Sequence, residues 1–361
     1  MNRPEFQPEW FFALLLFYSF FSIRALTEES RIHPLNLTAG AAQGLSYCVS
    51  HVKDIDGISS AAMTRAATGA EVTLTDYGRV MEDLRAVPRE AKSVIICDLG
   101  VDASETEPFI TIMGSLADRA QVTYIDHHYL PVHAKARIRR SGVRFVHDEG
   151  ECASILTFLT FRDILRPRSE LIALYGAVTD EMDYTPEASR LMETTDRHFV
   201  LAEACLLSQA LSFKAEREGF PDMLVRELST GRLPHEIEGV PESALKQIGL
   251  EAKLMDEVKR HGKRVGRLAY MDTTEYSSGI VAKLLLGAFK VPVGVAVREN
   301  KPGELVVELR GTSECRVHLG MLIGEVSSKL GGSGGGHRLA SGGIVPTDKE
   351  SRLLRMLSRK V

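Results

Sequence analysis

Between residues 45 and 178 the chain alternates short apolar runs with stretches of helical spacing. The runs 45–51 (LSYCVSH), 71–75, 93–97 (SVIIC) and 122–125 read as strands, and 145–147 as a further short one. Between them, residues 58–68, 77–84, 107–119 and 152–164 carry apolar and small residues at the three- and four-residue spacing of helices packed on a sheet. The run 171–178 reads as one more helix. Strands alternating with helices predict an α/β fold, a parallel sheet with helices on both faces.

Residues 194–258 show no strand pattern, are rich in Leu, Ala, Glu and Lys, and carry turn signals at 219–221 and 231–241, which predicts a helical connector. From residue 266 a second βα pattern begins. It predicts a strand at 266–271, a helix at 277–290, and strands at 291–298 and 304–310 forming a hairpin across 299–303. A helix at 317–330 and an ordered segment at 339–346 follow. The expected organisation is a leader over 1–44, a first α/β domain over 45–193, the connector over 194–258, and a smaller α/β domain over 259–361.

The leader contains one oddity, the 14-residue apolar run 10–23 (WFFALLLFYSFFSI). As a helix it would rise about 21 Å, short of the roughly 30 Å hydrocarbon core of a bilayer. Three readings stand side by side. A signal-peptide core has this length, but only Arg3 supplies positive charge before it, Glu5 and Glu9 dilute that charge, and no small-x-small cleavage site follows. A membrane-surface anchor lacks the cationic face such helices carry. A start site further downstream would make the run an artefact, although starting at the next methionine, Met63, would remove Asp54 and Asp56. The expected location is the cytoplasm, with membrane association through 10–23 left open.

Composition is ordinary for a globular protein, with 44% hydrophobic and 25% charged residues over 361 positions. A net charge of -4 gives no global basic signal of the kind expected for a protein that coats long nucleic acid, and points any nucleic-acid ligand to a short one or one held in a local groove. The five cysteines, Cys48, Cys97, Cys152, Cys205 and Cys315, form no Cys-x-x-Cys pair. That argues against a disulfide framework and a thiolate zinc site, and it fits a reducing compartment.

Candidate chemistry sits where apolar runs end. Asp54 and Asp56 follow the first strand, Asp98 the third, Asp126-His127-His128 the fourth, and Asp180 the helix at 171–178. Parallel sheets bind ligands beyond the carboxyl ends of their strands, where these residues fall. Adjacent histidines point to opposite sides, so His127 and His128 have different partners. Carboxylates with an imidazole are hard mixed donors suited to Mn²⁺ or Mg²⁺. Asp54-x-Asp56 can address two ions and Asp98 can bridge them, and two ions about 3.5–4 Å apart suit in-line phosphoester hydrolysis. Each acid alone also fits a plain turn or a solvated helix end; their coincidence favours a site. Five glycines in residues 331–336 lead into His337-Arg338, and such a loop of exposed N–H groups can cradle phosphate or carboxylate.

Taken together, the motifs resemble those of the DHH phosphoesterases. They are His51-Val52-Lys53-Asp54-Ile55-Asp56-Gly57-Ile58-Ser59-Ser60-Ala61, Val94-Ile95-Ile96-Cys97-Asp98, Asp126-His127-His128 and Gly176-Ala177-Val178-Thr179-Asp180. The segment Gly334-Gly335-Gly336-His337-Arg338-Leu339-Ala340-Ser341-Gly342-Gly343 resembles the glycine-rich signature of the DHH-associated domain. The resemblance spans about residues 45–346. It implies two divalent ions, Mn²⁺ first, with Mg²⁺ or Co²⁺ as alternatives. One ion would be held by Asp54 and Asp98, and the other by Asp56, Asp98, His127 and Asp180. It makes Asp126 the residue that orients His127, and His128 the contact to the reacting phosphate. Arg310 and His337, with Gly334, Gly335 and Gly336, would hold substrate. His51 stays open as a ligand, because only two residues separate it from Asp54 where members using this histidine often have three.

The implied activity is metal-dependent hydrolysis of short single-stranded oligonucleotides or dinucleotides to mononucleotides, as in RecJ-like and nanoRNase-like members. The alternatives are a cyclic-dinucleotide phosphodiesterase of the cyclic di-AMP type, an adenosine bisphosphate phosphatase, and an inactive scaffold. Long duplex nucleic acid is not expected as a partner, and a homodimer is compatible with the sequence. The glycine-rich C-terminal signature disfavours a pyrophosphatase.

Overall fold

The computed structural model describes residues 44–361 apart from 102–104, 215, 216, 275 and 337. The apolar run 10–23 and His337 lie outside the described residues. Among those described, no helix is long and apolar enough to cross a membrane. The chain divides into two compact units, one ending at Leu245 and the other spanning Lys246–Val361.

The first unit follows the alternation read from the sequence: β1 (Leu45–His51), α1 (Ile55–Thr68), β2 (Glu71–Thr75), α2 (Val80–Arg85), β3 (Ala91–Cys97), α3 (Thr106–Ala117), β4 (Gln121–Asp126), α4 (Val132–Arg140) and β5 (Arg144–His147). Helices α5 (Ala153–Phe161), α6 (Ser169–Thr179), α7 (Pro186–Met192), α8 (Arg197–Phe213) and α9 (Phe220–Ser229) follow. The five strands lie in the order β2-β1-β3-β4-β5, and every neighbouring pair is parallel. A sheet covered on both faces needs strands apolar on both sides, which is why 93–97 has no polar alternation beyond its first residue. In β3, Val94 and Ile96 join one core with Leu84, Phe109, Met113 and Ile138. Ile95 and Cys97 join the other with Ile58, Ala62, Ile155 and Ala173.

From β1 the chain turns one way to β2 and the other way to β3. The strand order therefore reverses beside β1, and the carboxyl ends of β1 and β3 border the crevice where such sheets bind ligands. Residues 194–258, expected as a connector, are helical, and those through Leu245 fall in the first unit. Val200, Ala204, Leu207, Leu224 and Val240 pack in the same core as α1 and α6.

In the second unit, entered through α10 (Val240–His261), the elements are β6 (Lys263–Val265), β7 (Leu268–Asp272), α11 (Ser278–Phe289), β8 (Val293–Lys301), β9 (Glu304–Gly311), α12 (Leu319–Lys329), β10 (Ser333–Gly336), β11 (Ala340–Pro346) and α13 (Glu350–Lys360). Its sheet runs β10-β11-β9-β8-β7-β6, with β7 and β8 parallel across α11 and the other pairs antiparallel. Helices α12 and α13 cover one face through Leu319, Ile323, Val326, Leu353 and Leu357. Helices α10 and α11 pack with Ala269, Met271 and Ala296 on the other.

The glycine run differs from expectation. Residues 333–336 are an edge strand paired in register with β11, Gly334 opposite Gly343 and Gly335 opposite Gly342, and not a loop. Glycine is needed there because helix and strand touch backbone to backbone. A Cβ on Gly320 of α12 would sit 1.9 Å from the Gly336 carbonyl oxygen, and one on Gly324 would sit 3.0 Å from that of Gly334. The exposed strand β6, with no apolar alternation to mark it, was not expected.

Gly320→Ala should therefore destabilise the protein by about 1–3 kcal/mol, the usual cost of overpacking. Gly287→Ala in α11, where an added Cβ meets nothing within 4 Å, should stabilise it by about 0.5–1 kcal/mol. Urea denaturation of both variants checks the pair; equal midpoints would refute the close-approach argument.

Candidate metal centre

The end of β1 and the start of α1 are locked to each other. Asp54 caps α1 by accepting from Gly57 N–H at 2.9 Å, and its other oxygen lies 2.6 Å from His51 Nδ1. Gly57 has no room for a side chain, since a Cβ would meet the His51 carbonyl oxygen at 2.4 Å. Asp56, in the first turn of the helix, is buried and accepts from the backbone N–H groups of Ala153 and Ser154, both at 2.9 Å. The amino end of α5, with its unpaired N–H groups and positive dipole, thus holds this carboxylate in place. Gly176 of α6 leaves the space: a Cβ there would come within 2.8 Å of Asp56 Oδ1 and 2.2 Å of Ser154 Oγ.

Asp98 follows β3 with a φ of 54°, in the left-handed region, and its N–H donates to the Ile125 carbonyl at 3.0 Å. That bend sets the carboxylate between two histidines. Oδ1 lies 3.4 Å from His127 Nε2 and Oδ2 lies 3.7 Å from His51 Nδ1. His127 Nε2 also lies 3.7 Å from Asp180 Oδ2 and 3.8 Å from Asp56 Oδ2. Three sets of donor atoms result, each within 4.8 Å: His51, Asp54 and Asp98; Asp56, His127 and Asp180; Asp98, His127 and His128. Asp98 belongs to two of them.

The charge balance of this cluster calls for a cation. Burial, and then the neighbouring Asp56, push the Asp180 carboxyl up to about 8. Burial and the charge of Asp98 push Asp56 up to about 6. Burial also disfavours charge on His51 and His127, but the carboxylates around them outweigh it and raise each to about 10. Asp98 is the exception: burial opposes its charge, yet His127 and His51 hold it well below the ordinary carboxylate range. Two buried atoms in the cluster, His51 Nε2 and Asp98 Oδ2, have no hydrogen-bond partner. Hard oxygen donors, imidazoles and unpaired buried atoms together fit divalent ions.

The pairing of Asp126 differs from expectation. It engages His128 and not His127: Oδ1 is 2.9 Å from His128 Nδ1, and Oδ2 accepts from the His128 N–H at 3.1 Å and from Tyr124 O–H at 2.9 Å. Residues two apart leave a strand end on the same side, so the acid meets the second histidine. Gly100 makes room for that ring, since a Cβ there would lie 2.6 Å from it.

Tyr77 was not foreseen. Its ring centroid lies 4.8 Å from that of His51, and its hydroxyl lies 3.3 Å from His128 Nε2. The sequence placed it inside a helix, whereas Asp76 folds it into a turn by accepting its N–H at 2.7 Å. Nothing in the sequence marked it.

The remaining expected residues belong to the second unit. Arg310, in β9, donates to Glu308 at 3.0 Å and to the Leu309 carbonyl at 3.0 Å. Its guanidinium lies against the start of α11, where a Cβ on Gly279 would be 2.8 Å away. Gly334, Gly335 and Gly336 form β10.

Comparison with known proteins gives a consistent picture. Residues 266–361 match the DHHA1 domain. A pGpG-specific phosphodiesterase, PggH from Vibrio cholerae, is 15% identical with a TM-score of 0.55, over 87% of this chain and 98% of that one. RecJ in complex with Mn²⁺ from Thermus thermophilus is 17% identical with a TM-score of 0.61, over 88% of this chain and 52% of that one. A DHH domain from a member of a ribosomal-protein family is 16% identical with a TM-score of 0.63, over 88% of this chain and 86% of that one. These likenesses establish the fold. No curated protein matches the chain by sequence.

Asp98→Asn keeps a residue that tolerates left-handed backbone and removes the charge shared by two donor sets. It should lower Mn²⁺ affinity at least about tenfold, the scale expected from losing one strong ligand contact, with the circular dichroism spectrum unchanged. Unaltered affinity by calorimetry would refute the sharing role. Ligands bind metal deprotonated, and the affected groups hold protons up to about 8 at Asp180 and about 10 at His51 and His127. Mn²⁺ affinity should accordingly climb as pH rises from 6 to 9, with net proton release; a flat profile would count against the cluster as the binding site.

Proposed function

We propose that the chain, which carries a DHHA1 domain at 266–361 and shares its fold with RecJ and other DHH proteins, is a DHH-type metal-dependent phosphodiesterase cleaving short oligonucleotides or linear dinucleotides to mononucleotides. The observation that carries this reading is the pair of donor sets, His51, Asp54 and Asp98 beside Asp56, His127 and Asp180, linked by a third set in which Asp98 meets His127 and His128. Two divalent ions, Mn²⁺ first, would there neutralise charge on the phosphate oxygens and make water a stronger nucleophile. The similarity to exonuclease RecJ and to a pGpG-specific phosphodiesterase supports phosphoester chemistry on nucleotides.

The chain's own residues do the positioning. Asp56, tied by both oxygens to the start of α5, fixes the carboxylate edge opposite His127. Asp126 holds His128 Nδ1, so that Nε2 faces Tyr77. In that orientation Nε2 can give a hydrogen bond or a proton to a phosphate oxygen or leaving group once substrate takes the tyrosine hydroxyl's place. Arg310 and His337, with Gly334, Gly335 and Gly336, are proposed as further substrate contacts of the second unit.

The deciding experiment is a Mn²⁺-dependent hydrolysis panel with the full chain on di- to pentanucleotides of RNA and DNA, cyclic di-AMP, adenosine bisphosphate and pyrophosphate. Mononucleotide release from the linear oligonucleotides is expected. Preferential turnover of cyclic di-AMP or adenosine bisphosphate would replace this substrate assignment, and no turnover with no bound metal would leave a scaffold.

A further inference from the structure

Among the described residues, only three phenylalanine, tyrosine or tryptophan rings are exposed. They are Tyr77, Tyr129 and Tyr184, at 42%, 70% and 76%. A single exposed ring is common and needs no explanation. The placement of these three does, because Tyr77 touches two histidines of the metal centre, and Tyr129 and Tyr184 lie within four residues of His128 and Asp180 along the chain. Tyr77 lies 4.8 Å from His51 between ring centroids and reaches His128 with its hydroxyl. Tyr129 directly follows His128. Tyr184 stands four residues beyond Asp180, which limits the separation of their Cα atoms to about 14 Å even in extended chain. Every other described phenylalanine or tyrosine ring is buried or half-buried.

From this we infer that Tyr77, Tyr129 and Tyr184 form a nucleobase-stacking rim around the centre, and that its ligands are phosphodiesters carrying bases. The inference rests on the functional reading above for where the phosphate lies. Tyrosine is well matched to such a rim, since it offers a large π face with few rotatable bonds and a polar tip that tolerates water. Every base has a π face, so stacking holds the ligand without reading its sequence. The site would thereby favour nucleotides over base-free phosphoesters, a preference that the carboxylates and histidines alone cannot generate, since they address only the phosphate.

The test is calorimetric binding of the linear dinucleotide pApA and of its doubly abasic analogue to the full chain, with Ca²⁺ in place of the activating ion. The wild type should prefer pApA by about 5- to 100-fold, the range for stacking one to two bases. The triple variant Tyr77→Ala/Tyr129→Ala/Tyr184→Ala should bind the two ligands within about twofold of each other, and the triple Tyr→Phe variant should keep the preference. If the triple alanine variant does not fold, Tyr129→Ala/Tyr184→Ala decides, with a loss of at least about threefold expected. Equal wild-type affinity for both ligands, binding of neither, or an alanine variant that keeps the preference overturns the rim. Turnover of pApA with Mn²⁺ is scored separately. Turnover without a binding preference keeps the hydrolase reading and removes the rim; a preference without turnover keeps the rim and removes the hydrolase reading.

Discussion

Like charges gathered in a buried place are the constraint from which the rest of the first unit follows. Asp56, Asp98 and Asp126 are almost wholly buried, and Asp54 and Asp180 lie beside them. Carboxylates out of water cost several kcal/mol each unless paired, and three of the five have hydrogen-bond donors. Asp54 takes a helix-capping amide, Asp56 the first amides of α5, and Asp126 a tyrosine hydroxyl together with a histidine. Asp56 draws its donors from far along the chain, and the parallel order β2-β1-β3-β4-β5 with its flanking helices brings the acids themselves to one spot. What the donors leave uncompensated is the demand for cations.

Much of this was legible because chemistry and periodicity coincide at strand ends. The limits of β1 and β2 match the apolar runs residue for residue, β3 ends at Cys97 just before Asp98, and β4 and β5 end at Asp126 and His147. The acids could be named as a set from their spacing alone. Which histidine Asp126 would hold could not, since that depends on the side from which each residue leaves the strand end. Tyr77 was hidden for a related reason: it belongs to no apolar period, and a two-atom contact from Asp76 decides that it turns toward the histidines.

Glycine misled in the second unit because it carries two opposite meanings. A run of glycines permits flexibility, and it equally permits one backbone to lie on another. Residues 333–336 obey the second meaning, since α12 rests directly on β10. Nothing in residues 331–336 themselves separates the cases; the partner glycines, Gly320 and Gly324, sit in a helix whose other positions read as ordinary core. β6 was missed for want of any apolar residue pattern, as its three residues are all exposed.

The left-handed backbone at Asp98 has an evolutionary consequence. Few side chains occupy that conformation without strain, asparagine and glycine foremost among them. Most replacements at this position would therefore disturb the fold along with the chemistry and be lost. The two that the backbone accepts remove the carboxylate common to two donor sets while sparing the sheet. Among the acids of the cluster, Asp98 is the one whose own backbone restricts which losses of charge the fold accepts.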